Sequence, residues 1–319
     1  MTQQTQSLIA QSKTYNNYGT YLRNRYEGKK VFKIIVDAGF TCPNRDGSKG
    51  FGGCTYCNVD SFTPALTRQN NTIEQQVVAN IQRAKERYEA QKFIIYFQPN
   101  TNTYADIETL KRLYDRALNV EKNDVVGLSV GTRADCLDTQ KLDLFDQYAQ
   151  NLDVDLEIGM ESMYDQTLKA INRQSTHQAF LDTIEQCRNR HFDVCVHTIF
   201  GLPNETQEMW LNVAHELNRL PIKFVKLHHL YIAKGSIMGV KYLRNPEMFN
   251  LFSLESYTDF LCQFIPLLRP DMVIQRLFAV SDYEFHIAPS WGLQKNQIQS
   301  HIDRTLANRN IKQGSLYQV

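Results

Sequence analysis

The sequence predicts an α/β fold, a partial (βα)6 TIM-type barrel of parallel strands with N- and C-terminal extensions. Three observations predict it. Short apolar, β-rich runs alternate with amphipathic stretches of helical period, as when a parallel sheet is covered by helices. Six such units follow one another, which suits a barrel or partial barrel better than a doubly wound sheet. A glycine-rich loop bearing cysteines directly follows the first run, and in barrels the loops after strands form the catalytic face.

In chain order, residues 1–30 are polar and hold Tyr15, Tyr18, Tyr21 and Tyr26, so they read as an extension. Residues 31–36, Val-Phe-Lys-Ile-Ile-Val, read as the first strand, and 72–90 as a helix. Residues 93–97 give a second strand and 105–118 a helix; 125–130 a third strand and 139–150 a helix. Residues 154–159 form a fourth strand, with helices at 164–171 and 176–190. Residues 193–200 are a fifth strand, after which Asn204 is expected to cap a helix over 205–219. A sixth strand is expected over 224–232 and a helix over 253–268, ending at Pro270; 272–278 is a candidate for a further strand. The barrel thus spans 31–280, and 281–319 reads as an appended basic tail.

Hydrophobic residues make up 42% of the chain, enough for a sizeable core and too many for a disordered one. The formal charge of +1 excludes a wholly basic nucleic-acid protein but hides an asymmetry. Residues 1–33 carry Lys13, Arg23, Arg25, Lys29, Lys30 and Lys33 against Glu27, a surplus of +5. Residues 288–319 carry Lys295, Arg304, Arg309 and Lys312 against Asp303, a surplus of +3, so the middle is acidic. Basic ends suggest a polyanionic partner. No apolar run approaches the roughly 18–20 residues of a membrane span, and the first residues lack a signal-peptide core. A cytoplasmic protein is therefore expected. Seven cysteines, an odd number, argue against a secreted disulfide framework and for metal binding or chemistry.

The informative segment runs from Cys42 through Pro-Asn-Arg-Asp-Gly-Ser-Lys-Gly-Phe-Gly-Gly to Cys54-Thr-Tyr-Cys57. Its glycines permit a tight wrap. Thiolates favour zinc or iron–sulfur centres. Structural zinc takes four protein ligands, and no fourth Cys or His lies near: the next are Cys136 and His177. Three thiolates fit a cubane with one iron open to a ligand, while zinc and inert buried cysteines remain the alternatives.

This segment resembles the cluster loop of radical S-adenosylmethionine (SAM) enzymes, which carry three cysteines after the first barrel strand and an aromatic, here Tyr56, before the last. The family's common spacing is shorter. The long first gap is similar to that of the elongator-type radical SAM domain and a bacterial subfamily of stand-alone proteins. The resemblance implies a [4Fe-4S] cluster on Cys42, Cys54 and Cys57, with SAM bound beside it. Gln98-Pro-Asn100-Thr-Asn-Thr103 lies where the family binds the methionyl amino group, although the family's usual motif is Gly-Gly-Glu-like. Gly131-Thr-Arg133-Ala-Asp135 resembles the branch's Thr-Arg-Pro-Asp turn, so Arg133 either faces substrate or pairs with a carboxylate in the mouth. The segment Glu157-Ile-Gly-Met-Glu161-Ser162 resembles one that meets the SAM ribose and carboxylate, and Arg173 occupies the place of an arginine that pairs with that carboxylate. Gly201-Leu-Pro-Asn-Glu-Thr206 resembles the turn near the adenine, and Leu230 is expected beside it. Of His228 and His229, alternation sends one to each face of the sheet. His177 departs from the family's Gly-His and reads as a helix start.

The resemblance further implies reductive cleavage of SAM, an electron donor such as flavodoxin or ferredoxin, and as substrate the carbon 5 side chain of a tRNA wobble uridine, for example carboxymethylaminomethyl converted to aminomethyl. The tyrosine-interleaved basic arm suits single-stranded RNA; a solvated extension reads the same way. Scattered Cys136, Cys187, Cys195 and Cys262 offer no second cluster. Two rivals stand beside this reading: a radical SAM enzyme for a small molecule such as a porphyrinogen, and a non-enzymatic zinc-containing RNA-binding protein.

Overall fold

The computed structural model describes residues 14–64, 67 and 71–318; Lys13 and the rest of the first thirteen residues lie outside it. The order of elements is α1 (Tyr18–Arg25), β1 (Val31–Val36), α2 (Ile73–Tyr88), β2 (Lys92–Phe97), α3 (Ile107–Leu118), β3 (Val125–Arg133), α4 (Thr139–Ala149), β4 (Asp153–Glu161), α5 (Asp165–Ala170), α6 (His177–Gln186) and β5 (Asp193–Phe200). Then come α7 (Gln207–Arg219), β6 (Phe224–His229), β7 (Ile232–Ala233), α8 (Ile237–Arg244), α9 (Leu254–Phe264), β8 (Val273–Arg276), β9 (His286–Ala288) and α10 (Lys295–Asn308). Seven strands form one parallel sheet in the order β1-β2-β3-β4-β5-β6-β8, a curled half-barrel with helices outside. The candidate strand over 272–278 is β8, which pairs parallel with β6.

The helices begin where short polar side chains take up free backbone N–H groups. Thr72 and Gln75 form a reciprocal capping box on α2, and Asp106, Asp138 and Thr176 cap α3, α4 and α6, each contributing about 1 kcal/mol. Their apolar faces, such as Leu110, Tyr114 and Ala117 of α3, pack on sheet residues including Phe97 and Leu128.

Several expectations change. Thr206, not Asn204, caps α7: Asn204 is left-handed at φ 67°, whereas a cap residue is extended, as Thr206 is. The sixth strand stops at His229, because β5 ends at Phe200, whose carbonyl takes the Leu230 N–H at 2.7 Å, and nothing parallel continues beyond it. Ile232 and Ala233 instead pair antiparallel with β9. The α9 helix ends at Phe264 because Pro266 lacks an N–H donor and turns the chain into a short 3-10 segment. The expected tail folds: α10 buries Ile302 and Leu306 in the main core.

The tyrosine arm folds too. Tyr18 and Tyr21 meet Phe224 edge-on at 5.5 and 5.3 Å, and Asn17 bridges Ile274. Arg25 and Tyr26 bind Asp153, the first residue of β4. All these partners lie at strand starts, so α1 closes the end of the barrel opposite the cysteine loop. Tyr15 hydrogen-bonds Asp303, and Gln313 ties the backbone of Asn16 to that of Met272, so the two extensions hold each other.

Candidate active site

The loop after β1 is fixed before any ligand binds. The N–H groups of Arg45 and Asp46 turn back to the Cys42 carbonyl at 2.8 and 3.2 Å. The Cys57 N–H closes a turn on Cys54 at 2.9 Å. Asn172, after α5, donates to the carbonyls of Phe51 and Gly53, and Asn44 donates back to the Asn172 carbonyl. Gly53 sits at φ 76°, and a Cβ there would stand 3.0 Å from the Arg45 side chain, so a larger residue would displace Arg45.

Cys42, Cys54 and Cys57 are free and line one cavity of about 210 Å³. Donors converge on their sulfurs: Arg45 Nη2 at 3.5 Å from Cys57, Asn44 Nδ2 at 3.7 Å and Arg173 Nη1 at 3.8 Å from Cys54. Burial and the neighbouring Cys54 push the Cys57 thiol up to about 11, against the pull of Arg45. Thiolates here therefore call for a cationic centre. Among the described residues, no three His, Cys, Asp or Glu side chains are close enough to grip one metal ion. In a cubane each cysteine binds a different iron, and three free cysteines lining one cavity, with guanidinium and amide donors at their sulfurs, fit an iron–sulfur cluster. The zinc alternative lacks its fourth ligand.

Above the sulfurs, Arg173 donates to the Gly159 carbonyl at 2.8 Å and lies 3.6 Å from Glu161. Burial disfavours its charge, but Glu161 and the sulfur environment outweigh that and raise its pKa. A Cβ on Gly159 would fall 2.3 Å from Glu161 Oε1 and 2.8 Å from Arg173 Nη2, so only glycine admits this pair. Glu161 itself is left-handed, at φ 64°, on a register shift between β4 and β5, a local strain of the kind that gathers at functional sites. Asn100 is also left-handed and faces the cavity. Asn102 secures its turn by donating to the carbonyls of Phe97 and Gly131. Among the described residues, Gln98 Oε1 and Arg133 Nη1 are buried without a partner, while the rest of the Arg133 guanidinium pairs with Asp135.

Tyr56, Gln98, Asn100, Glu157, Glu161, Arg173 and Leu230 line the cavity together. Ser162 and Gly201 do not. The Ser162 hydroxyl donates to Glu205, and Gly201 packs against Phe252 and Leu230. His228 and His229 both border the cavity, and the His229 ring packs between Tyr257 and Trp291. His177 sits on the outer layer, 3.5 Å from Glu216.

Glu157 lies two inward positions below Glu161, on the floor. Lys33 Nζ donates to its Oε1 at 2.6 Å, while His197 Nε2 at 2.9 Å, the Tyr96 hydroxyl and Lys226 Nζ all meet its Oε2. Lys33 also binds Asp155 and Ser129. Burial opposes the Glu157 charge, yet Lys226 and Lys33 overcome it and hold the carboxyl well below its usual range. Burial dominates for Lys226, whose pKa falls to about 8 despite Glu157. From sequence, Glu157 is placed against SAM and His228 on one face of β6, but the other floor residues are not singled out, and Lys33 counts with the basic arm. The available signal was polar residues at alternate positions of otherwise apolar strands: Lys33, Tyr96, Ser129, Asp155, Glu157, His197, Lys226 and His228.

The family model of the radical SAM superfamily matches residues 42–217, and that of the radical SAM C-terminal domain matches 222–308. The protein YhcC of Escherichia coli K12 is 35% identical over 307 residues, covering 95% of this chain and 96% of that protein. YtqA of Bacillus subtilis is 30% identical over 306 residues, covering 96% and 94%. MJ0486 of Methanocaldococcus jannaschii is 32% identical over 308 residues, covering 95% and 92%. Among solved structures, the archaeal Elp3 of Methanocaldococcus infernus superimposes with a TM-score of 0.68 at 14% identity. The match covers 89% of this chain but only 64% of that one, and it supports the shared fold. By cluster-loop motif, half-barrel and family match, the chain belongs to the radical SAM superfamily, whose enzymes use SAM and an iron–sulfur cluster.

Proposed function

We propose that this protein holds a [4Fe-4S] cluster on Cys42, Cys54 and Cys57, binds SAM in the cavity above it, and modifies the carbon 5 side chain of a tRNA wobble uridine in the cytoplasm, converting carboxymethylaminomethyl to aminomethyl. The observation that carries the cofactor reading is the set of three free thiols facing one cavity with guanidinium and amide donors aimed at them. When bound, the cluster and SAM supply one-electron cleavage of a sulfonium carbon–sulfur bond and, from it, hydrogen abstraction at carbon; an electron carrier such as flavodoxin or ferredoxin would deliver the electron.

The chain's own residues do the positioning. Gln98 Oε1, a buried acceptor with no partner among the described residues, suits the methionyl ammonium. Arg173 presents a guanidinium for the carboxylate, and Glu161 an acceptor for the ribose hydroxyls. Tyr56 and Leu230 offer apolar surface for the nucleoside. The Glu157 oxygens are saturated by the floor network, so its part in this reading is to fix the lumen. Ser162 and Gly201 shape the corners after β4 and β5.

What supports a polyanionic substrate is α8. It docks on the cluster loop, with the Met238 N–H on the Thr55 carbonyl at 2.8 Å, and carries exposed Lys241 and Arg244 that form no ion pair among the described residues. The tyrosines of α1 are engaged within the fold and lend the tRNA reading no support. A second reading, a small-molecule substrate, is favoured by the polar lumen lined by Arg133 and His228. The test is 5′-deoxyadenosine formation by anaerobically reconstituted protein with SAM and dithionite, with and without bulk tRNA from a strain lacking this protein. A burst requiring that tRNA supports the first reading. Cleavage indifferent to tRNA moves the substrate to small molecules.

A further inference from the structure

We propose that Arg276, flanked by Lys226 and His228, is a binding site for a carboxylate on the substrate, distinct from the groups that face the cysteines. The inference deepens the reading above and rests on it for the identity of the substrate.

Arg276 ends β8, the edge strand furthest in sheet order from β1 and its cysteine loop. It is the register partner of Lys226 on β6; both line the cavity, as does His228 two residues further along. Of the other cations around the cavity, Arg45 turns its guanidinium to Cys57, and the rest meet carboxylates. Lys33 has Asp155, Lys226 has Glu157, Arg173 has Glu161, and Arg133 has Asp135. The half-buried Arg276 guanidinium has no carboxylate within 4.0 Å and no hydrogen bond among the described residues. Beside it, His228 Nε2 is buried with no partner among the described residues. Burial first, and Arg276 second, hold the His228 pKa well below its ordinary value, so the ring is neutral and free to donate one N–H.

A charge held in a wall largely shielded from water is costly unless a counter-ion meets it. Deep in the lumen, away from the cysteines, Arg276 therefore carries a positive charge with no counter-ion among the described residues, beside an idle imidazole nitrogen. A planar guanidinium matches a carboxylate through two parallel N–H bonds, and the neighbouring ring adds a third donor. The carboxymethyl end of the proposed side chain has that shape and charge.

The test uses full-length reconstituted protein, SAM-loaded, as wild type, R276Q and R276K. The probes are the nucleoside 5-carboxymethylaminomethyluridine and its carboxamide in equilibrium binding, and sarcosine against sarcosinamide as protectants of Arg276 from phenylglyoxal. Wild type should bind the acid nucleoside about tenfold tighter than the amide, the discrimination expected of a charge-assisted contact. R276Q should bind both alike, R276K should restore part of the preference, and sarcosine should shield Arg276 where its amide does not. If tRNA drives 5′-deoxyadenosine formation but wild type binds acid and amide alike, the function stands and this site is overturned. If tRNA drives nothing, the substrate reading fails, and the protection experiment decides alone: equal shielding by sarcosine and sarcosinamide overturns the site.

Discussion

Arg173 Nη1 stands 3.8 Å from Cys54 Sγ while Nη2 donates to the Gly159 carbonyl at 2.8 Å, so one guanidinium ties the cysteine loop to the end of β4. The contact is possible because residue 159 has no side chain. Replacing Gly159 with alanine places a methyl group 2.8 Å from Arg173 Nη2 and 2.3 Å from Glu161 Oε1. The expected outcome is at least about a tenfold loss of SAM affinity, with a stability cost of about 1–3 kcal/mol, as for other overpacked sites. Equilibrium binding of SAM and thermal melting measure the two separately.

Arg45 bears on the electron rather than on SAM. Its Nη2 lies 3.5 Å from Cys57 Sγ and 3.0 Å from the Cys57 carbonyl. Removing a positive hydrogen-bond donor from a cluster ligand disfavours the extra electron. Arg45→Ala should therefore lower the midpoint potential, with the iron content unchanged, in a redox titration followed by electron paramagnetic resonance. An unchanged potential would remove Arg45 from this role.

The floor network is a stability element with a defined pH window. Glu157→Gln leaves Lys33 and Lys226 buried beside a neutral group and should cost about 3–5 kcal/mol, the usual penalty for breaking a buried pair. The Glu157 carboxyl is held below its ordinary pKa, so its contribution is fully present above the unfolded value of about 4.3 and is lost as pH falls through the folded one. The difference in melting temperature between wild type and Glu157→Gln should thus be constant from pH 7 to pH 5 and shrink only in more acidic solution. Shrinkage already near neutrality would mean that Glu157 is protonated in the fold.

Two regions divide the work that the basic ends suggested. Tyr18→Ala removes an aromatic contact with Phe224 and a ring 5.3 Å from the Lys33 ammonium. It should cost about 3 kcal/mol and leave tRNA affinity unaltered. Lys241→Glu with Arg244→Glu, both on exposed positions of α8, should weaken tRNA binding and flatten its salt dependence without changing the melting temperature. Gel-shift titrations at several salt concentrations, paired with melts, check both; tRNA affinity that follows Tyr18 instead would return the RNA to the N-terminal arm.

These cases also mark what could be read from the sequence. Strands and outer helices were legible because their signal is local: 193–200 read as a strand at the bounds the fold gives it, and the loop from Cys42 to Cys57 carried its chemistry in its spacing. What escaped depends on partners far along the chain. Ser162 looked like a ligand of the cofactor, but Glu205, forty-three residues on, takes its hydroxyl. Lys33 looked like one charge of a basic arm until closure of the sheet set it against Asp155 and Glu157, more than a hundred residues away. Arg276 sits on a four-residue strand with no motif around it, and what marks it is the lack of a counter-ion among the described residues inside the finished barrel. The tyrosines of α1 pointed to stacked bases, but Tyr18 and Tyr21 meet Phe224 edge-on inside the fold.

The central claim is that Cys42, Cys54 and Cys57 together hold a cluster that binds SAM. Its most direct test is electron paramagnetic resonance of the dithionite-reduced, anaerobically reconstituted protein, recorded before and after SAM, alongside iron and sulfide analysis of wild type and of the three single Cys→Ala variants. The account predicts iron and sulfide in the equal amounts of a [4Fe-4S] cluster, a signal that changes when SAM is added, and loss of that signal in each variant while the protein stays folded. A wild-type signal indifferent to SAM, or the same cluster surviving in Cys54→Ala, would contradict it.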